Sequence, residues 1–162
     1  MPHRHGSFTH EARWPAVVVG AGPAGLVTAI ALARAGIRTL VVEEHEQPHP
    51  HPRATVASVR TMEILRSWGL EQTVRAAGDD VEFRMFFTPT LARVAEGTAR
   101  EVGYPTRAQS EQASPTFPAC IAQDALERIL IEHLRTLPAA TLLTGSTVES
   151  VEQDANLSLI HI

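Results

Sequence analysis

The sequence Ala-Val-Val-Val-Gly-Ala-Gly-Pro-Ala-Gly at residues 16–25 decides the fold. Its apolar, β-branched first part is typical of a buried strand, and its glycines, spaced G-x-G-x-x-G, lead directly into a helical pattern. Strand, tight turn and helix in this order form the dinucleotide-binding fingerprint, in which a pyrophosphate binds at the N-terminus of the helix. The stretch therefore predicts a nucleotide site in a parallel α/β sheet.

Each residue of the turn has a physical task in this interpretation. Gly20 permits a sharp turn, Gly22 leaves room for the pyrophosphate to approach the backbone, and Gly25 lets the helix pack closely on the strand. Pro23 suits the first helical position because a proline there gives up an N–H that has no helical partner. Ala24 belongs to the same first turn, whose free N–H groups and partial positive charge favour phosphate. We predict all five residues to bind the cofactor.

An acidic pair follows the second predicted strand. A helix over 23–35 ends at Gly36, and a second buried strand predicted over 37–42 then leads into Glu43 and Glu44. A carboxylate about 20 residues after the glycines accepts hydrogen bonds from a ribose and repels a 2′-phosphate, so the pattern favours FAD or NAD over NADP. We prefer Glu43 to Glu44 as the ribose ligand, because strand alternation points the second carboxylate to the other face.

The rest of the chain predicts a mixture of helices and strands around two loops. Prolines make residues 47–55 an extended connector, and Arg53 in it is placed to pair with a pyrophosphate or a flavin ring edge. We expect a loop over 103–118. The hydrophobic periods predict helices over 58–68, 71–77 and 123–137, strands over 81–87, 91–95 and 146–153, and a parallel strand over 141–143 beside the first strand.

Composition excludes several classes of protein. The chain has 162 residues, enough for a domain with a core, and its net charge of −4 argues against nucleic acid as the main partner. Its single cysteine excludes an internal disulfide, which fits a cytoplasmic protein. The sequence contains no membrane-spanning apolar run and no secretory signal, and we interpret the histidines near residues 3–10 and 45–51 as exposed segments rather than a metal site.

Several stretches together resemble one family. The chain is similar to the N-terminal part of the FAD-dependent aromatic monooxygenases, the class that includes p-hydroxybenzoate hydroxylase, and above all to its phenol and polyketide hydroxylases. The glycine motif alone is shared by many flavin and NAD proteins, whereas the ordered set is much more specific. The matching stretches are residues 18–26, 40–43, 52–55, 60–66 with Gly69-Leu70, and 122–127.

The resemblance implies a cofactor, a reaction and further site residues. Carried over by position, Glu43 binds the FAD ribose, Arg53 and Gln123 contact FAD, and the strand near Val148 flanks the adenine. NAD(P)H is then a transient electron donor, O₂ supplies an oxygen atom, and the substrate is a small aromatic compound. No residue is assigned as a catalytic acid, base or nucleophile.

The resemblance also predicts the domain organisation. We expect a disordered extension at 1–14 and a Rossmann-like FAD-binding domain at 15–156. This domain is incomplete, because the family's later Asp-Gly and Gly-Asp motifs are missing, and it carries a β-excursion at about 81–118 on the substrate side. Residues 157–162 are interpreted as a non-native tail, since they can be back-translated into a DNA sequence that resembles a common transposase adapter.

Two alternatives stay open from the sequence. The chain is either part of an aromatic hydroxylase or part of another flavin oxidoreductase of the same architecture, although the absence of any lysine counts against a flavin halogenase. Taken literally as 162 residues, it is also interpretable as a nucleotide-binding fragment, for FAD or NAD, without turnover.

Overall fold

A computed structural model describes residues 13–47, 54–81, 85–100, 103–153 and 158–161. The chain divides into two compact units, the first formed by Met1–Pro48 with Leu130–Ile162 and the second by His49–Ile129. The predictions for residues 1–12 and for Arg53 lie outside the described residues.

The described residues form a mixed α/β structure, as the sequence predicted. In chain order the elements are β1 (Ala16–Val19), α1 (Pro23–Arg34), β2 (Thr39–Val42), β3 (Val56–Ala57), α2 (Val59–Ser67), α3 (Glu71–Ala77), β4 (Met85–Phe87), a 3₁₀ helix (Leu91–Glu96), β5 (Thr98–Arg100), α4 (Arg107–Glu111), β6 (Ala119–Cys120), α5 (Gln123–Arg135), β7 (Ala140–Leu143), β8 (Ser150–Gln153) and β9 (Ser158–His161).

A parallel sheet organises the first unit, with the strand order β1-β2-β7. Val17 pairs with Leu40, and Val42 pairs with Leu143. The prediction that β7 lies beside the first strand is wrong, because β7 pairs with β2. Strands that follow each other in the chain tend to be neighbours in a sheet, and β2 is the parallel strand that precedes β7.

Burial in this sheet is greatest at its centre. All four residues of β2 are buried, whereas residues 16–18 of β1 are half-buried and Val19 is 57% exposed. The prediction of a buried first strand is therefore wrong for β1. The cause is its position, since β1 lies at the edge of the described sheet and has one strand neighbour there.

Helix α1 packs against β1 and β2 as its period predicted. It ends in a Schellman turn, in which Ile37 N–H donates to Leu32 O over 3.0 Å while Gly36 takes a φ of +79°. Close packing at its first turn needs Gly25: a Cβ there would collide with the Gly20 carbonyl and lie 3.3 Å from Val18 Cγ1. The helix buries the predicted apolar positions Leu26, Ala29, Ile30 and Ala33.

In the second unit, helices α2 and α3 follow the predicted pattern, whereas the strand pair β3–β6 was not predicted. Helix α2 begins at the N-cap Ser58, whose hydroxyl accepts from Thr61 N–H, and buries Met62 and Leu65. It ends in a Schellman turn, where Leu70 N–H donates to Leu65 O over 2.9 Å. Strand β3 pairs antiparallel with β6.

Two predictions for the excursion are wrong. Residues 91–95 were expected to form a strand, but they lie in the 3₁₀ helix, and the antiparallel partner of β4 is β5. Leu, Ala, Arg and Glu favour helix, and the Thr88 hydroxyl donates to the carbonyls of Thr90 and Arg93 at its start. The expected loop over 103–118 contains α4, because Thr106 and Gln109 form a capping box.

The C-terminal part differs from its prediction in three details. Helix α5 ends at Arg135, before the expected residue 137, and Glu127 is 6% exposed although the helical pattern places it on the polar face with Arg128 and Glu132. Strand β8 begins at Ser150 rather than at residue 146, and its backbone pairs antiparallel with β9, which lies within the predicted tail. Among the described helices, every one is too short or too polar to cross a bilayer.

A buried carboxylate holds the second unit together. Glu71 is 9% exposed, and it accepts hydrogen bonds from Arg66 over 2.6 Å, from Arg75 over 3.1 Å and from the Thr116 hydroxyl. The Arg75 guanidinium also lies 3.7 Å from the Phe117 ring centroid. Burial raises the pKa of Glu71, but the bonds from Thr116, Arg66 and Arg75 outweigh it and hold the pKa below its usual value of 4.5.

Substitution of Glu71 by Gln should lower the free energy of unfolding by about 2 kcal/mol at pH 7, because two guanidinium groups lose their carboxylate. Because the pKa of Glu71 is lower in the folded than in the unfolded state, the charged side chain stabilises the fold fully above pH 4.5. This stabilisation is lost as the pH falls through the folded-state pKa. Urea unfolding at pH 7 and pH 3.5 measures the difference, with the exposed Glu111→Gln as the control. A pH-independent loss would contradict the assignment.

Substitution of Gly25 by Ala should cost about 3 kcal/mol of stability, since the new methyl group meets backbone that cannot move aside. The matched control is Gly22→Ala, because no described atom lies within 4 Å of the Cβ position at Gly22. Urea unfolding of both variants without any ligand checks this. Equal stability of the two variants would show that helix and strand tolerate a wider separation.

Candidate nucleotide-binding site

The glycine turn is anchored on the second strand. Gly20 follows β1 with a φ of +95°, a conformation that favours glycine. Its N–H donates to the Val42 carbonyl over 2.8 Å. The turn therefore sits at the carboxyl end of the parallel sheet, where ligands of open α/β sheets bind.

The N-terminus of α1 is open. Gly22 is the N-cap and carries no side chain to bond the first turn, Pro23 is the first helical residue, and the first turn contains no acidic residue. The N–H groups of Ala24 and Gly25 have no acceptor within the helix at these positions. With no described atom near the Cβ position of Gly22, the turn has the space and the donors that fit a pyrophosphate.

Glu43 lies directly beside this turn. One carboxylate oxygen, Oε2, accepts from Ala21 N–H over 2.6 Å, and Oε1 accepts from the His45 N–H over 2.9 Å and lies 3.0 Å from His45 Nδ1. The Glu43 side chain is 19% exposed, against 61% for Glu44. Of the two carboxylates, Glu43 is thus the one that the fold holds in place, which supports the preference made from strand alternation.

The surroundings of Glu43 favour its charged form. Burial raises the pKa of Glu43, but the hydrogen bonds from Ala21 and His45 outweigh it and hold the pKa below 4.5. Each carboxylate oxygen has two lone pairs, so Glu43 keeps acceptor capacity after bonding Ala21 and His45. The bonds from Ala21 N–H, His45 N–H and the His45 ring use three of the four acceptor positions, and the one left on Oε2 can accept from a ribose hydroxyl.

Glu43, Glu44 and His45 also bring possible metal-ligand atoms within 4.8 Å of one another. Such groups are common on exposed acidic surfaces, and two of the three side chains are exposed. We assign no metal to them.

The segment around Val148 belongs to the same compact unit as the glycine turn. Val148 is half-buried and lies outside regular secondary structure before β8, not in a strand as expected. Ser146 N–H donates to the Glu43 carbonyl over 3.0 Å, which ties the start of this segment to the end of β2.

The second unit holds the other predicted residues. Gln123 begins α5, its N–H donates to the Ala54 carbonyl over 3.0 Å, and Ile121 N–H donates to the Thr55 carbonyl over 2.9 Å. These bonds tie the chain that follows Arg53 to the residues around Gln123. The Gln123 side chain donates to Glu127 over 2.8 Å.

Sequence reasoning missed three groups of the site. Ala21 and His45 contribute the donors that fix Glu43, and Glu127 fixes Gln123. The spacing of Gln123 and Glu127, four residues apart on a helix, was a usable signal. No sequence signal marked the backbone donor of Ala21, because every residue type except proline supplies an N–H at that position.

Comparison with protein families decides the relationship. The sequence pattern of a family described as "FAD binding domain" matches residues 13–157. The chain belongs to this FAD-binding domain family.

The FAD-binding domain has curated relatives among monooxygenases. The chain is 36% identical over 140 residues to 4-methyl-5-nitrocatechol 5-monooxygenase of a Burkholderia species, covering 86% of this chain and 25% of that protein. It is 40% identical over 123 residues to aklavinone 12-hydroxylase RdmE of Streptomyces purpurascens, covering 74% and 23%. The chain thus spans about a quarter of the length of these relatives.

Solved structures give the same FAD-binding fold. The flavin-dependent monooxygenase PieE, in complex with FAD and substrate, matches with a TM-score of 0.79 and 30% identity over 91% of this chain and 26% of that one. A ternary complex of aklavinone-11 hydroxylase with FAD and aklavinone matches with a TM-score of 0.74 and 31% identity over 91% and 28%.

Removal of the His45 ring should raise the pKa of Glu43 toward 4.5, because the carboxylate loses one hydrogen bond and one favourable charge interaction. Titration of the Glu43 carboxyl carbon by NMR in His45→Ala measures the midpoint, which lies below 4.5 in the parent protein. Gln47→Ala, an exposed change two residues along, is the control. An unchanged midpoint in His45→Ala would contradict the role of the ring.

Proposed function

We propose that this chain is the FAD-binding part of a flavoprotein monooxygenase that hydroxylates a phenolic or polyketide aromatic substrate with NAD(P)H and O₂. The observation that carries the proposal is the open glycine turn with the Glu43 carboxylate hydrogen-bonded to it. This pair provides donors for a pyrophosphate and acceptors for a ribose at one edge of the sheet. The aromatic substrate class is supported by the names of the relatives, a nitrocatechol monooxygenase and an aklavinone hydroxylase.

In this proposal the first unit binds the adenosine half of FAD. The first-turn N–H groups of Ala24 and Gly25 donate to the pyrophosphate, and Gly20 and Gly22 keep side chains away from it. Glu43 accepts from the ribose hydroxyls, with its charge maintained by Ala21 and His45 at every pH above its lowered pKa. The segment near Val148 contributes contacts to the adenine.

Two residues of the second unit complete the assignment. Arg53 is proposed to contact FAD through its guanidinium, and Gln123 through its side-chain amide. The proposal for Gln123 is supported by its fixed position, since both its main chain and its side chain are hydrogen-bonded. When bound, FAD supplies the electron transfer from NAD(P)H and the activation of O₂; the residues named here bind it and orient it.

The excursion at about 81–118 is proposed to serve the substrate side. Its hairpin of β4 and β5 presents Phe86 and Phe87, which are 50% and 45% exposed, and the Arg100 guanidinium lies 5.2 Å from the Phe87 ring. Exposed aromatic rings are suited to contact a flat aromatic compound.

We also propose a cytoplasmic location, where NAD(P)H is available and where the single thiol of Cys120 stays reduced. Fractionation of expressing cells tests this, and recovery in a secreted fraction would contradict it.

The activity is tested on the protein expressed from its native locus. We expect a flavin absorbance spectrum from the purified protein, and NAD(P)H oxidation that rises when a phenolic or polyketide compound is added. Mass spectrometry should show a product heavier by one oxygen atom, which becomes labelled when ¹⁸O₂ is used. A colourless protein that binds NAD, or a flavoprotein whose product carries no oxygen from O₂, would overturn the proposal.

Substitution of Glu43 by Gln should weaken FAD binding about tenfold, because the ribose loses a charged acceptor. Glu44→Gln makes the same change of charge at an exposed neighbour and should leave the affinity within about twofold. Quenching of FAD fluorescence on titration with protein measures both dissociation constants, and circular dichroism checks the fold. A larger loss in Glu44→Gln than in Glu43→Gln would reverse the assignment.

A further inference from the structure

Helix α5 carries a buried carboxylate that its amphipathic pattern did not predict. Glu127 is 6% exposed, although its neighbours Arg128 and Glu132 on the same helix are exposed. A carboxylate in such a position needs hydrogen-bond donors to offset its loss of water. The donor that the structure provides is the side chain of Gln123, one turn earlier on the helix.

The contact fixes which way the Gln123 amide faces. Gln123 Nε2 donates to Glu127 Oε1 over 2.8 Å. An ionised carboxylate accepts hydrogen bonds and cannot donate them, so it selects the amide NH₂ group and rejects the amide oxygen. The carbonyl Oε1 of Gln123 is then turned away from Glu127 and can accept a hydrogen bond from a ligand, while the second N–H of the amide stays a donor.

The main chain of Gln123 is held as well. Its N–H donates to the Ala54 carbonyl over 3.0 Å, at the start of the helix. With backbone and side chain both bonded within the second unit, Gln123 has little freedom left to lose when it binds a ligand. Such preorganisation lowers the cost of binding.

We propose that Glu127 is a positioning residue that turns the Gln123 amide so that its oxygen accepts a hydrogen bond from FAD. This rests on the proposed function, in which Gln123 contacts FAD. The oxygen of Gln123 therefore recognises a donor of the cofactor, a hydroxyl or an N–H group. Glu127 acts through Gln123 and needs no contact with FAD itself.

The main test compares two charge-removing substitutions on the same helix. Glu127→Gln replaces the carboxylate with an amide that both donates and accepts, so the orientation of Gln123 is no longer selected. We expect it to weaken FAD binding about fivefold, because a charged hydrogen bond becomes a neutral one. The control Glu132→Gln, at an exposed position, should bind FAD as the parent chain does. Titration with FAD at fixed pH and salt, followed by flavin fluorescence, measures both.

An exchange of the two side chains separates orientation from packing. Gln123→Glu alone places two carboxylates one turn apart, and we expect poor FAD binding. With Glu127→Gln added, the new amide at position 127 donates to one oxygen of the new carboxylate at position 123. The other oxygen of that carboxylate is then free to accept a hydrogen bond from FAD. The double variant should bind FAD at least about threefold more tightly than Gln123→Glu. No such recovery would contradict an orienting role.

A third measurement needs no FAD. In ¹⁵N NMR spectra of the ligand-free chain, the side-chain NH₂ signals of Gln123 should shift in Glu127→Gln and stay in place in Glu132→Gln. If Glu127→Gln does not fold, Glu127→Asp keeps the charge but draws the carboxylate away from Nε2, and the same loss of affinity is expected.

The outcomes distinguish this inference from the proposed function. A parent chain that binds no FAD under any condition would overturn both. A parent chain that binds FAD, together with Glu127→Gln and Glu127→Asp variants of unchanged affinity, would overturn the inference alone and leave the FAD site standing.

Discussion

The hydrogen bond from Ala21 N–H to the Glu43 carboxylate is the contact on which the first unit depends for its site. It joins the glycine turn to the end of the second strand, and the bond from Gly20 N–H to the Val42 carbonyl reinforces it. Because the turn and the carboxylate are fixed against each other, phosphate donors and ribose acceptors keep a constant separation. That constancy is what lets a few small residues define a site for a long cofactor.

The second unit solves a similar problem with different groups. In this unit Glu71 accepts hydrogen bonds from two guanidinium groups and a hydroxyl. Gln123, the proposed cofactor contact, is fixed by main-chain bonds from Gln123 and Ile121 to the carbonyls of Ala54 and Thr55. In both units a carboxylate is held by donors from distant parts of the sequence. The polar groups thus fix the positions of loops that apolar packing alone leaves free.

Local signals in the sequence predicted the local structure well. Glycines marked the ends of helices, as at Gly36 and Gly69, because the left-handed backbone at a helix end strongly favours glycine. The choice of Glu43 as the ribose ligand rested on its spacing from the glycines and on strand alternation, and it stays a prediction. Features set by partners far along the chain were not predictable in this way: the neighbour of β7, the exposure of β1 and the burial of Glu127 all depend on which surfaces meet. The segment at Leu91–Glu96 was missed because a short apolar run fits helix and strand equally.

The strand order has a consequence for how the chain folds. The connection from β2 to β7 is about five times as long as the one from β1 to β2, so closing it costs about 1.4 kcal/mol more in chain entropy if it is a flexible loop. Loop-closure entropy therefore favours pairing of β1 with β2 before pairing of β7. The intervening stretch is a compact unit in its own right, and its early folding would shorten the effective loop. A self-contained unit between β2 and β7 would in this way lower the entropy cost of adding β7 to the sheet.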